Sequence, residues 1–130
     1  TYKDFILPVT WRVQWPCNSG IWFRYKSAHS AYQADILEHK SPECYSGSLY
    51  CLGKGFLALN KDKTSVDRDS WNTMTIRAQA EHIQIWLNGH QVVDVRDNTN
   101  DSGHIGFQVH SGKQFSQMKI IIRDVWLQPL

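Results

Sequence analysis

No stretch of this chain approaches the roughly 20 consecutive apolar residues that a membrane-crossing helix needs, so a membrane span is not expected. Blocks of lysine and arginine are missing too: 14 basic residues lie scattered among 12 acidic ones, for a net charge of +2. Without a basic patch or stripe, nothing here supports binding to nucleic acid. Helix signals are equally scarce, since no segment holds a 3.6-residue apolar period between two caps. There is no internal repeat, linker or low-complexity tract. The 130 residues read as one domain, 1–130, large enough to bury a core between two sheets. No signal-peptide pattern opens the chain, and it begins on Thr1 rather than Met, which fits a processed or trimmed product.

Cysteine is sparse and odd in number: Cys17, Cys44 and Cys51. Cys44 and Cys51 are close enough in sequence to bridge across a small loop or hairpin, leaving Cys17 free. The other reading is three reduced structural thiols. A zinc site is not expected, because no second pair of ligands follows at the required spacing. Neither a metal nor a cofactor is called for.

Aromatic residues are plentiful, with six Trp, five Tyr and five Phe, and strand signals dominate. Short apolar or β-branched runs cover Phe5 to Trp15, Ile21 to Tyr25 and Tyr32 to Leu37, separated by turn residues. Ser41 to Gly47 reads as a polar loop, Leu49 to Leu59 as a weaker hairpin broken by Gly53 and Gly55, and Asn60 to Ser70 as a charged loop. Trp71 to Ala80 and His82 to Leu87 alternate cleanly. Asn88-Gly89 then supplies a strong two-residue hairpin signal, since both central positions of a type I′ turn need φ > 0. Gln91 to Val95 returns as the partner strand. Gly103 to His110 and a long segment from about Lys113 to Leu127 complete the set, after a polar loop over Arg96 to Ser102. Nine or so short strands with regular turns imply a sandwich or barrel. Asn100-Asp101-Ser102 is also a formal glycosylation sequon in an expected loop.

Several phrases share one pattern in one order: Asn18-Ser19-Gly20-Ile21-Trp22-Phe23-Arg24, Tyr32-Gln33-Ala34-Asp35-Ile36-Leu37-Glu38, Ser46-Gly47-Ser48-Leu49-Tyr50, Trp71-Asn72, Trp86-Leu87-Asn88-Gly89, Gly103 to His110, and Arg123 to Leu130. Together they resemble the 3-keto-disaccharide hydrolase (DUF1080) family over nearly the whole chain. In that family the first phrase reads Asn-Ser-Gly-Ile-x-x-Arg, the second Tyr-Glu-x-Gln-Ile-x-Asp, and the sixth Gly-x-Ile-Gly-Leu-Gln-x-His. The resemblance implies an all-β, two-sheet antiparallel jelly-roll sandwich of the concanavalin A-like kind, and a secreted or periplasmic setting. The family's further N-terminal strand region is missing here. A sheet edge is therefore expected to be open, or covered by a partner chain or by that segment.

Strand parity then sorts the side chains. Ile21, Phe23 and Tyr25 oppose Trp22 and Arg24; Tyr32, Ala34 and Ile36 oppose Gln33, Asp35 and Leu37; Ile105, Phe107 and Val109 oppose Gln108 and His110. Burying the apolar sets places Arg24, Gln33, Asp35, Gln108 and His110 on one outer, concave face beside Trp22. The other tryptophans, Trp11, Trp15, Trp71, Trp86 and Trp126, are expected mostly in the core or at strand ends. Such an outer face suits a polyhydroxylated ring, whose C–H patches pack on aromatics while polar groups make directed hydrogen bonds. Trp22, Gln33, Gln108 and Tyr50 are the candidate sugar-binding residues. An ordinary glycosidase needs two facing carboxyl groups, but Asp35 and Glu38 are three apart and point to opposite faces. The chemistry that the resemblance implies differs: a ketone at C3 acidifies C2–H, elimination breaks the glycosidic bond, and water adds. His110 would serve as base or acid, Arg24 would hold the ketone or enolate oxygen, and Asp35 would orient a base or a metal. Gln33 stands where the family has Glu and cannot take a proton. Three functions follow as alternatives: a carbohydrate-binding domain, an active 3-keto-glycoside hydrolase or lyase, or a structural or interaction subunit of a larger secreted assembly.

Overall fold

A computed structural model describes residues 1–109 and 118–130. Its strands are β1 (Phe5–Gln14), β2 (Asn18–Ser27), β3 (Ser30–Lys40), β4 (Glu43–Cys51), β5 (Gly55–Asn60), β6 (Asn72–Gln79), β7 (His82–Leu87), β8 (His90–Arg96), β9 (His104–Val109), β10 (Lys119–Val125) and β11 (Gln128–Pro129). A single 3-10 turn, Lys63–Ser65, interrupts the loop after β5. No helix among the described residues is long and apolar enough to cross a membrane. The strands form two antiparallel sheets. One runs β10-β1-β6-β7-β8 with β11 also on β1, and the other runs β5-β4-β3-β2-β9. This is the jelly-roll sandwich.

Alternation builds it. Phe5, Leu7, Val9 and Trp11 of β1 are at most 1% exposed, and so are Met74, Ile76 and Ala78 of β6 and Ile83, Ile85 and Leu87 of β7. They meet Ile21, Phe23, Tyr32, Ala34, Ile36 and Leu49 from the other sheet. The aromatic members pack in sequence, Phe5 edge-on to Phe23 at 6.1 Å and Phe23 stacked on Tyr32 at 5.3 Å. The Asn-Gly hairpin forms as its chemistry dictates: Asn88 has φ 51° and Gly89 φ 85°, and Leu87 pairs with His90.

One expectation needs correction, and the structure decides between others. Ser41 to Gly47 is not simply a loop, since β4 starts at Glu43 and pairs Glu43, Cys44 and Tyr45 with Lys40, His39 and Glu38. Its serines stay polar yet buried because they serve backbone: Ser46 Oγ accepts from Leu37 N and Ser48 Oγ from Asn60 N. Cys44 and Cys51 do not bridge; all three cysteines are free and buried. The reason is geometric, because both lie on β4, where seven residue steps span over 20 Å, far beyond disulfide reach. Among the tryptophans, Trp11 is in the core but Trp126 is 71% exposed. Phe107, Ile121 and Val125 are also at least 41% exposed, on the strands that end their sheets. The sequon is unusable as folded, since Asn100 is 1% exposed.

Candidate functional site

The outer face of the five-stranded sheet is organised in cross-strand rows. Trp22 on β2 pairs with Gln33 on β3, Gln33 with Tyr50 on β4, and Tyr50 with Phe56 on β5. The next row joins Gln108 on β9, Gly20 on β2 and Asp35 on β3. Gln33 and Gln108 therefore stand two strands apart, yet Gln33 Nε2 donates to Gln108 Oε1. Gly20 makes this contact achievable. A Cβ there would lie 2.7 Å from Gln33 Cγ and 2.8 Å from Cδ, so the Gln33 side chain crosses β2 in the space that a missing side chain provides. Ser19 beside it fixes β9 by donating from Oγ to Gln108 O at 2.5 Å.

Asp35 is 3% exposed, and its Oδ2 has no hydrogen-bond partner among the described residues. Burial pushes its carboxyl well above the usual carboxylate range. The neutral acid is thereby favoured, a group that can donate as well as accept. Around it the aromatic row continues: Tyr50 meets Phe56 edge-on at 5.1 Å, and His39 meets Phe56 at 5.8 Å. Gln33, Asp35, Gln108, Trp22 and Tyr50 thus share one face. His110 lies outside the described residues.

Arg24 is not on that face, which corrects its expected placement. The pairing of β2 slips between Phe23 and Ser27 against β3 and between Trp22 and Tyr25 against β9, and Arg24 takes φ 49°. Strand parity fails at such a bulge. The side chain is fully buried, and its guanidinium donates to backbone carbonyls: Nε and Nη2 to Lys3 O at 3.0 and 2.7 Å, and Nη1 to Ala80 O at 2.8 Å and Asn100 O at 3.0 Å. Asp4 Oδ1 adds an ion pair at 3.4 Å. Its donors hold three chain segments together rather than pointing at an outside ligand. Close by, Gly103 passes so near the Arg24-Tyr25 peptide that a Cβ would meet Tyr25 N at 2.5 Å and O at 2.6 Å.

Sequence reasoning missed a second cluster at this end. Asp97 accepts from Tyr32 Oη at 2.6 Å, Lys54 Nζ at 2.8 Å and Thr99 N at 2.9 Å. Burial raises its pKa, but the hydrogen bonds from Lys54, Thr99 and Tyr32 together outweigh burial and hold it well below the ordinary range. Elsewhere Glu38 pairs with Arg68 at 2.6 Å, Asp94 with His82 at 2.6 Å and Asp101 with Lys26 at 2.7 Å.

Comparison with known proteins agrees with this architecture. The structure is similar to a presumed glycosyl hydrolase from Parabacteroides distasonis ATCC 8503, with TM-score 0.76 and 19% identity over 99% of this chain and 79% of that one. It is also similar to the carbohydrate-binding module CBM66 from Bacillus subtilis, with TM-score 0.73 and 16% identity over 97% and 75% of the two chains. A second presumed glycosyl hydrolase from P. distasonis aligns with TM-score 0.71 and 14% identity over 99% and 73%. At these identities the likeness is one of fold. No curated protein matches the sequence. The family model described as a 3-keto-alpha-glucoside-1,2-lyase-like domain matches residues 1–128, and the chain belongs to that family.

Proposed function

We propose that this domain binds a carbohydrate on the outer face of the five-stranded sheet, with Gln33, Gln108 and Asp35 as polar contacts and Trp22 and Tyr50 as apolar ones. One observation carries the reading: the row Trp22–Gln33–Tyr50 stands beside the row Gln108–Gly20–Asp35, two residue steps or about 6.5–7 Å away. Amides, a carboxyl and aromatic rings thus line one patch about 7 Å along the strands and about 14 Å across them, the scale of one or two sugar rings. In the Gln33–Gln108 pair, Gln33 Oε1 remains chemically an acceptor and Gln108 Nε2 a donor, which suits hydroxyls of either polarity.

A second reading, turnover of a 3-keto-α-glucoside, is favoured by the state of Asp35. In a 1,2-elimination a base removes the proton from C2, the bond from C1 to the leaving oxygen breaks, and an acid protonates that oxygen. Water then adds across the C1=C2 bond, hydroxyl to C1 and proton to C2. A buried carboxyl favoured in its neutral form supplies the acid. His110 supplies the base in this proposal, because an imidazole titrates near neutrality.

Titration with methyl 3-keto-α-glucoside separates the two. The parent should bind it, and Trp22→Ala and Gln33→Ala should each weaken binding. Methanol release that Asp35→Asn and His110→Ala abolish would establish turnover. Absence of both binding and release from mildly acidic to mildly alkaline pH would overturn the proposal.

A further inference from the structure

On the outer face of the other sheet, β1 and β10 run side by side, and the pairs Arg12↔Ile121 and Gln14↔Lys119 put four exposed side chains on one surface. Trp15, Arg68 and Asp69 close the end of that surface into a recess of about 470 Å³. We infer that this recess is an oxyanion-binding site, which takes the carboxylate or the sulfate ester of an anionic sugar. Its sheet is the one opposite Gln33 and Gln108, so the two sites are separate.

Three cations meet there. Arg12 and Lys119 are diagonal neighbours across the β1–β10 pair, roughly 7–8 Å apart at the backbone end, so their long side chains can reach one oxyanion between them. Arg12 Nη2 donates to Asp69 O at 3.2 Å and Trp15 Nε1 to Arg68 O at 2.8 Å, and these two bonds hold the loop before β6 against the end of β1. Arg68 in turn lies over the Trp15 ring, 5.4 Å from its centroid, with Nε on Glu38 Oε1 at 2.6 Å. Among the described residues the remaining donors of both guanidiniums and the Lys119 ammonium meet no acceptor. Three cations against Asp69 in the lining, and Glu38 on Arg68 beyond it, leave the recess positive. A guanidinium aims paired donors at a carboxylate or a tetrahedral oxyanion. The volume is larger than a bare ion needs and lies within the ~300–1,000 Å³ typical of ligand sites. Trp15 and Ile121 give apolar surface for a ring, and the Gln14 amide offers a donor and an acceptor to its hydroxyls.

The test follows the Trp15 indole N–H by NMR at low ionic strength, where charges are least screened, with glucuronate, glucose 6-sulfate and glucose as probes. Loss of the signal in Trp15→Phe assigns it. A charged probe should shift it saturably and glucose should not; the tighter of glucuronate and glucose 6-sulfate identifies the oxyanion as carboxylate or sulfate. Lys119→Gln and Arg12→Gln should each weaken binding roughly tenfold, the scale of one charged hydrogen bond. Asp69→Asn removes the competing carboxylate and should tighten binding by up to about fivefold. Trp22→Ala, on the opposite sheet, should leave the titration unchanged. Unfolding midpoints of Lys119→Gln and Asp69→Asn should match the parent. No saturable shift with either charged probe, an equal shift with glucose, or a Kd that survives both Lys119→Gln and Arg12→Gln overturns the site.

Discussion

Arg24→Met keeps a side chain of similar reach and deletes the guanidinium, so it measures what that group holds. Three backbone carbonyls, those of Lys3, Ala80 and Asn100, lose charged donors at 2.7–3.0 Å. A hydrogen bond from a charged donor nets about 1.5–3 kcal/mol, yet contacts within one network do not add. The Asp4 partner is 28% exposed, so its ion pair is discounted for solvent. Breaking a buried charge network from one side costs about 3–5 kcal/mol, a large share of the roughly 5–15 kcal/mol of a typical domain. The expected fall in Tm is about 10–20 °C for a chain of this size. Urea titration followed by tryptophan fluorescence, with a parallel thermal melt, reads both values. Arg24→Lys should recover only part of the loss, because one ammonium cannot reach carbonyls on three segments at once. The reasoning is refuted if Arg24→Met unfolds within about 0.5 kcal/mol of the parent, a surface-like effect. If the variant kept its stability and lost sugar binding or turnover, Arg24 would belong to the chemistry instead.

Three further outcomes follow from the same contacts. Asp97 has a depressed folded pKa, so its stabilisation is present above the unfolded value near about 3.9 and is lost as pH falls below it. Asp97→Asn should therefore be less stable than the parent at neutral pH, the gap closing toward about pH 2; a gap independent of pH contradicts this. Asp35 has the opposite sign. Its folded pKa is raised, so stability is full below about 3.9 and is lost as pH rises through the folded value. Asp35→Asn should gain on the parent in urea midpoints as pH rises above about 4, and a parallel pair of curves would refute the burial argument. Gly20→Ala should push Gln33 off Gln108, shift the Gln33 side-chain amide signals in NMR and cost about 1–3 kcal/mol. Unchanged amide signals would show that the space over β2 is not what brings the two together.

How much was legible in the sequence depended on how local the cause was. The β7–β8 hairpin is set by Asn88 and Gly89 alone, and the strand His82–Leu87 by its own alternation. β4 was half hidden because Ser46 and Ser48 are polar for a non-local reason: they satisfy the backbone at Leu37 and Asn60. Arg24 was assigned to the wrong face because parity counts residues, and a bulge inserts one without announcing itself in the side chains. That Trp22, Gln33, Asp35 and Gln108 share one face was legible because β2, β3 and β9 stay in register between Gly20 and Trp22. Arg12, Arg68 and Lys119 escaped notice because the recess they line exists only once β1 and β10 are paired and the loop before β6 lies against them.

The carboxyl position carries the remaining weight. The family pattern that this chain resembles has Glu at the position of Gln33 and Gln at that of Asp35, so here the acid lies two residues further along β3. That step moves it out of the row between Trp22 and Tyr50 and into the row beside Gly20 and Gln108, about 6.5–7 Å away. In its new place it is buried, and among the described residues its Oδ2 meets no donor. A carboxylate needs charge or donors to stay ionised, so relocation favours the protonated form. Relative to that pattern, a carboxylate in the Trp22–Tyr50 row has become an amide, and an amide in the next row has become an acid. If the domain turns over a 3-keto-glucoside, the carboxyl should act on the leaving oxygen rather than on C2–H. A rate that falls as pH rises through the Asp35 titration is the expected signature. A rate that instead rises through the same titration would make Asp35 the base and refute this assignment.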